Sequence, residues 1–355
     1  MSNVNSKYQA TVPLEGQKKL LWRYLQGLFF LIGLGLFMAL IFVPKIGVVA
    51  FWNVLIPVAP LLFLVASGLW RNVCPLASVA MLPHHLNLSK RKRIPLKWQG
   101  WLALGSVALL FLIVPARHLA LNNDGLSTAI TLAFLATLAF VGGLFFDVKS
   151  AWCSGLCPVH PVEKLYGQKV GFTPPNAHCG ACHNCVISCP DSTPRQMEKM
   201  PNQRTTQTLA TTLLTGGLPG FIWGWFHVPD CRGAADWREC LMAFGLPWAT
   251  MALTLGTFVL LRKFLPKSQE TLLVSVFAAA SISCYYWYRI PSLVGYGLFP
   301  QDGLLVDLTQ TLPLWSIVAA QVAAVAFFGW WLVLRNPEPS VWAVRPPFLV
   351  KKLDA

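Results

Sequence analysis

Cys179, Cys182, Cys185 and Cys189, the last followed by Pro190, place four thiols within eleven residues. Three of them, at i, i+3 and i+6, are close enough for a short loop to wrap one corner of an iron–sulfur cube. Soft thiolates suit iron and sulfide. In a C-x2-C-x2-C-x3-C-P run the fourth cysteine ligates a different cluster, so the run demands further cysteines elsewhere. Two shorter pieces offer them: Trp70-Arg71-Asn72-Val73-Cys74-Pro75 and Trp152-Cys153-Ser154-Gly155-Leu156-Cys157-Pro158. The candidate ligands are therefore Cys74, Cys153, Cys157, Cys179, Cys182, Cys185 and Cys189. Two [4Fe–4S] clusters held by thiolate alone need four each. The count favours two clusters with one corner left to His, Asp or an external ligand; one cluster with spare cysteines is the alternative. His160, just after Cys157-Pro158, is the first choice for a non-cysteine ligand. Zinc is the rival metal, but zinc ribbons separate two C-x2-C knuckles by a dozen or more residues, and here there is no room for two.

The elements that carry these cysteines are apolar. Of 355 residues, 55% are hydrophobic and 12% charged, where soluble domains carry roughly 25% charged residues. A bilayer core of about 30 Å needs roughly 20 apolar residues per helix. About eight segments qualify: 24–43, 49–69, 98–116, 127–146, 206–227, 241–261, 271–288 and 314–334. None has Lys, Arg, Asp or Glu in its middle. The sequence thus predicts an all-α polytopic membrane protein with a cysteine-rich loop. It divides into an N-terminal four-helix region (1–146), a [4Fe–4S] segment (147–205) and a C-terminal four-helix region (206–355).

Lys and Arg set the orientation. With a cytoplasmic N-terminus, the inside loops carry about 23 of the 28 basic residues, with Lys90-Arg91-Lys92-Arg93 the clearest marker. An even helix number returns the C-terminus to the same side. All three cysteine pieces then fall on the cytoplasmic face. The formal charge of +14 is accounted for by these loops, and no basic soluble domain suggests nucleic acid. The polar lead before the first helix and the lack of a small-residue cleavage site predict an uncleaved anchor, not a signal peptide. Trp22, Trp98, Trp101, Trp248, Trp315, Trp330 and Trp331, near predicted helix ends, read as interfacial anchors.

The Cys179–Pro190 run resembles that of bacterial ferredoxins. Cys153-Ser-Gly-Leu-Cys157-Pro158, followed by Glu163-Lys-Leu-Tyr-Gly167, resembles the membrane-embedded C-x3-C-P element of polyferredoxin-type membrane proteins. Among these are the quinol-oxidising subunit of periplasmic nitrate reduction, the membrane electron donor of nitrous-oxide reduction and an assembly protein of copper oxidases. The resemblance covers roughly residues 50–200. It implies a multi-pass protein of a bacterial inner (plasma) membrane, with [4Fe–4S] clusters on the cytoplasmic face and electron traffic linked to the membrane. Three features depart from the pattern. Trp70 stands where the first element would have its leading cysteine, one ferredoxin-type run is present instead of two, and four further helices follow.

Other residues invite weaker readings. Cys231 and Cys240 fall in a predicted outside loop and could form a disulfide. Cys284 reads as a small buried hydrophobe. His118 and His227, near outer helix ends, could bind haem or a quinone head, but most interfacial histidines do neither. His178 and His183 flank cluster ligands as hydrogen-bond donors, and His84 and His85 belong to a basic loop. No G-x-G-x-x-G joins a strand to a helix, so direct use of NAD(P)H is not expected. The leading expectation is an electron-transfer protein working between a soluble ferredoxin or flavoprotein and a quinone or partner redox enzyme at the bilayer. A redox assembly factor for another metalloenzyme, and a transporter or sensor with a regulatory cluster, are the alternatives.

Overall fold

The structure is a computed structural model that describes residues 17–92, 94–146, 149–169, 171, 205–233 and 235–336. Among these residues every element is helical and there is no sheet; a lone bridge joins Lys92 to Phe146. The helices are α1 (Gln17–Phe42), α2 (Pro44–Val48), α3 (Ile56–Val73), α4 (Pro75–His85), α5 (Leu96–Ala116), α6 (Gly125–Phe145), α7 (His160–Tyr166), α8 (Thr205–Phe226), α9 (Trp237–Phe264), α10 (Glu270–Leu293) and α11 (Leu314–Gly329). Wider π-type turns at 49–55, 117–121, 152–156 and 330–334 extend or join them.

Seven helical stretches are long and apolar enough to cross a bilayer: Leu20–Phe42, Pro44–Ala66, Lys97–Leu121, Gly125–Phe145, Trp237–Phe264, Lys267–Leu293 and Leu314–Leu334. The protein is a multi-pass membrane protein by that measure. The eighth expected segment, 206–227, does form a helix, α8, but falls outside the set. The reason is composition: its first half holds six threonines and a glutamine. The bundle absorbs that polarity by burying α8 centrally. Thr211 caps its own Gln207 carbonyl, and Gln207, Thr211 and Thr215 are all buried.

Small residues let α8 approach α9 closely, as they do between membrane helices generally. A Cβ on Gly220 would lie 2.0 Å from the Thr250 carbonyl oxygen, and one on Gly224 2.3 Å from Thr250 Oγ1. Gly216 faces Phe258 while Gly224 faces Pro247, so α8 and α9 run antiparallel. Against α5, by contrast, α8 runs parallel: Gly100 meets Thr206 at one end, and Trp225 Nε1 donates to the Val114 carbonyl at the other. A core of Phe63, Leu64, Phe111, Leu214, Phe221, Phe258, Ile282 and Phe328 fills the space between these helices and α10 and α11. The exposed Trp98, Trp101, Trp315 and Trp330 sit near helix ends, as interfacial anchors should, but Trp248 lies in the middle of α9, where its Nε1 donates to the Phe111 carbonyl of α5.

Candidate functional site: two Cys-Pro tips inside the helix bundle

Pro75 opens α4 and Pro158 opens the turn that leads into α7 two residues later, because Pro fixes φ and cannot continue the preceding hydrogen-bond ladder. The residues before them take almost the same extended conformation, φ −61°, ψ 124° at Cys74 and φ −60°, ψ 120° at Cys157. The two Cys-Pro elements are thus one local structure used twice.

Both lie well inside the bundle. Residues 44–73 form a nearly continuous helical path, about 45 Å at 1.5 Å per residue. Pro75 nevertheless packs on Gly33, only nine residues from the end of α1, about 13 Å. The chain has doubled back, and the turn is at Ala66, whose φ −150°, ψ 61° is non-helical. From Cys74, α4 then runs antiparallel to α1 until His85 comes near Arg23. The segment after α6 behaves likewise. Ala151 returns against Gly142, Trp152 packs with Ala80, Leu135 and Ala139, and the Cys157 carbonyl accepts from Ser106 Oγ at 2.5 Å. Ser106 is nine residues into the Lys97–Leu121 span. The chain leaves again through α7, and Lys169 Nζ donates to the Val333 and Arg335 carbonyls at the end of α11. Residues 149–169, expected in a loop beyond the helices, instead fold back among them.

The tips approach one another. Cys74 and Cys157 are half-buried, and the Cys157 thiol is close enough to Cys74 to feel its charge. Burial is the main force on both and pushes each thiol's pKa up; at Cys157 the neighbouring Cys74 adds to it. The backbone N–H groups of Leu76 and Ala77 at Cys74, and of Val159 and His160 at Cys157, act the other way and favour the thiolate. Lys149 also lowers Cys74. A clasp ties the hairpins together: Arg71 Nε donates to Glu163 Oε1 at 2.6 Å, with both side chains over 90% buried. Lys149 Nζ donates to the Arg71 carbonyl at 3.1 Å. No predicted span had a charge at its centre, yet the doubling back brings Arg71, Lys149, Glu163 and Lys164 into the interior.

Of the expected ligands, then, Cys74 and Cys157 stand together at the tips, and Cys153 packs half-buried one turn before Cys157. Cys179, Cys182, Cys185 and Cys189, with His178 and His183, lie outside the described residues. Among the described residues no three of His, Cys, Asp and Glu form a metal-holding group, so Cys74, Cys153 and Cys157 do not make a centre by themselves. His160 is buried three residues after Cys157, at the start of α7. Sequence reasoning missed Arg71, Asn72 and Lys149 as site residues. The available signal was position: Arg71 and Asn72 immediately precede Cys74, and Glu163 follows Cys157 by less than two helical turns.

At the opposite end of the bundle, His118 bonds Asp230 Oδ1 at 2.6 Å through Nδ1 and the Trp225 carbonyl at 2.9 Å through Nε2. Both ring nitrogens are engaged, so His118 is not placed to ligate haem. His227 stacks on Trp223 and contacts that residue's carbonyl. Arg117 lies between the rings of Trp52 and Trp225, 4.2 and 4.6 Å from their centroids. The disulfide considered for Cys231 and Cys240 is not formed; both are free thiols. Burial and the neighbouring carboxylates of Glu239 and Asp230 raise Cys231 to about 11, which disfavours the thiolate that disulfide exchange requires. Cys284 is half-buried in α10.

No protein-family model, curated protein or solved structure matches this chain.

Proposed function

We propose that the chain is a membrane-bound electron-transfer protein carrying [4Fe–4S] clusters, relaying single electrons between a soluble carrier and a quinone or a partner enzyme at the bilayer. The observation that carries this reading is the meeting of Cys74 and Cys157 at two matched Cys-Pro tips. Their surroundings suit a cluster ligand. The thiols are half-buried, backbone N–H groups face both sulfurs, and Lys149 supplies a positive charge beside Cys74. Hydrogen bonds to sulfur and burial are the levers that tune a cluster's potential. Cys74, Cys153 and Cys157 would supply ligands from inside the bundle, and Cys179, Cys182, Cys185 and Cys189 the remainder. Gly171 N donates to the Val65 carbonyl, which anchors the chain beside the α3 turn just before the segment that holds this run. When bound, the clusters supply reversible one-electron chemistry. The polypeptide supplies burial, hydrogen bonds and position.

The same reading takes α8 as an eighth crossing, supported by its parallel course along α5. Both termini and the cysteine run then lie on the cytoplasmic side, where Lys and Arg concentrate. Iron and acid-labile sulfide per chain in anaerobically purified protein, with EPR after dithionite reduction, tests the proposal. The expected result is about four to eight of each and a reducible [4Fe–4S] signal that an added quinone or partner discharges. Stoichiometric zinc without sulfide would overturn it.

A further inference from the structure

Two buried cations stand at the end of the bundle opposite the Cys-Pro tips. Arg117 and Arg289 lie near the ends of the Lys97–Leu121 and Lys267–Leu293 spans and are 4% and 3% exposed. Among the described residues neither takes part in an ion pair, and Arg117 is close enough to Arg289 to feel its charge. A charge taken out of water without a partner is strongly disfavoured. An arginine inside a span ordinarily pairs or lines a cavity. Arg117 has the faces of Trp52 and Trp225, and its Nε donates to Asn122 Oδ1 at 3.0 Å. Arg289 is less well served. Of its five N–H donors, those of Nη2 go to the Trp52 carbonyl at 2.7 Å and Asn53 Oδ1 at 2.8 Å, while Nε is buried with no hydrogen-bond partner.

Arg289 lines a cavity of about 30 Å³ with His118, Phe226, Tyr288, Phe299 and Asp302. That is room for one or two waters or a single small ion. The loop between α10 and α11 comes down on it at Gly303, whose φ of +72° is left-handed; a Cβ there would run into Arg289 Nη1. The nearby carboxylates have other donors. Asp230 Oδ1 is bonded to His118 Nδ1 at 2.6 Å and to Asn122 Nδ2 at 2.8 Å, and Asp302 Oδ2 accepts from the Asp230 N–H at 2.8 Å. The free donors and the uncompensated charge therefore belong to the same side chain.

We propose that this cavity binds one small monovalent anion of halide size, held by the unused donors of Arg289 with the charge of Arg117 behind it. Water would satisfy the donors but leave both cations without a counter-charge. Sulfate or hydrogen phosphate would bring a second negative charge against Asp230 and Asp302, and a lipid phosphodiester carries chains that 30 Å³ does not admit. The bound anion neutralises the arginine pair and fastens the loop between α10 and α11 to the bundle. The site stands apart from the electron-transfer reading and needs no cluster.

The test uses the full-length protein in nanodiscs of neutral lipid, exchanged into gluconate, with binding of radiolabelled chloride measured by equilibrium dialysis. Arg289→Gln removes the cation. Asp302→Asn takes a negative charge out of the wall while its side-chain oxygen can still accept from the Asp230 N–H. The expected results are saturable binding of about one chloride per chain, an affinity about tenfold or more weaker in Arg289→Gln, and one about threefold or more tighter in Asp302→Asn. A damaged fold does not tighten binding, so Asp302→Asn decides the matter even where Arg289→Gln fails to fold. No saturable binding, an affinity that Asp302→Asn leaves unchanged, stronger competition by sulfate or phosphate than by unlabelled chloride, or displacement of chloride by phosphatidylglycerol in the nanodisc would each overturn the proposal.

Discussion

The two Cys-Pro hairpins share a tip and differ in what leads to it. In the first, Trp70 stands four residues before Cys74 and packs edge-on against Phe63, with ring centroids 5.4 Å apart. In the second, Cys153 holds the equivalent place before Cys157, inside a π-type turn. The backbone at the tip is nearly unchanged by that exchange. The geometry that matters is therefore set by the Cys-Pro pair itself, while the leading position is free to serve packing or chemistry. In the electron-transfer reading, the first hairpin has given up one thiol for a ring that fixes it in the core, and the second has kept both thiols.

The interior clasp offers the largest way to break that equivalence. Replacing Arg71 by Met takes this partner from the buried Glu163 carboxylate, and breaking a buried pair costs about 3–5 kcal/mol. Removing both charges, as Arg71→Met with Glu163→Leu, should recover most of that loss. Thermal unfolding of the three detergent-solubilised proteins checks it; a single variant as stable as wild type would mean the hairpins are not held by the pair. Trp70→Ala comes next. Loss of a core-packed ring of this size costs about 3 kcal/mol, whereas Cys153→Ala should cost about 1 kcal/mol or less. If the two equivalent positions cost the same, the division between packing and chemistry fails. The smallest mutational effect belongs to Ser106→Ala, which removes the hydroxyl bond to the Cys157 carbonyl and should cost about 1 kcal/mol, read in the same unfolding assay.

Proton affinity sharpens the comparison further. Burial raises both thiols, so in metal-free protein they stay protonated at neutral pH. Their contribution to folded-state stability is full below the ordinary thiol range and lost as pH rises through the raised values. Alkylation of Cys74 and Cys157 should accordingly be slow at pH 7–8 and keep accelerating beyond pH 9. A rate that levels off before pH 9, followed by mass spectrometry of each peptide, would contradict the burial. Metal loading must displace these protons and should release them to the medium.

Much of the fold was legible from residue types alone. Seven of the predicted crossings satisfy length and hydropathy, because a stretch of twenty apolar residues has few other uses. The eighth shows where that logic thins: α8 is threonine-rich, and its environment, not its own hydropathy, makes it an interior helix. The doubling back of 67–85 and 149–169 was not legible. Each arm is shorter than a crossing, and polar residues such as Arg71, Asn72 and Lys149 look like loop residues to a hydropathy scan. Their partners lie far away in sequence: Glu163 is 92 positions from Arg71, and Lys149 is 78. The candidate cysteines were legible by spacing, but that Cys74 and Cys157 sit tip to tip inside the bundle could be read only from the folded chain.

The most direct measurement is the iron and sulfide content of Cys74→Ala and Cys157→Ala, each purified without oxygen beside the wild type, with circular dichroism showing an intact helical fold. If the tips grip the same inorganic centre or matched ones, each variant should lose about one cluster's worth of iron and sulfide and show an altered EPR signal. Unchanged content and spectra in both, with the fold intact, would contradict the central claim that the paired tips hold the redox cofactor.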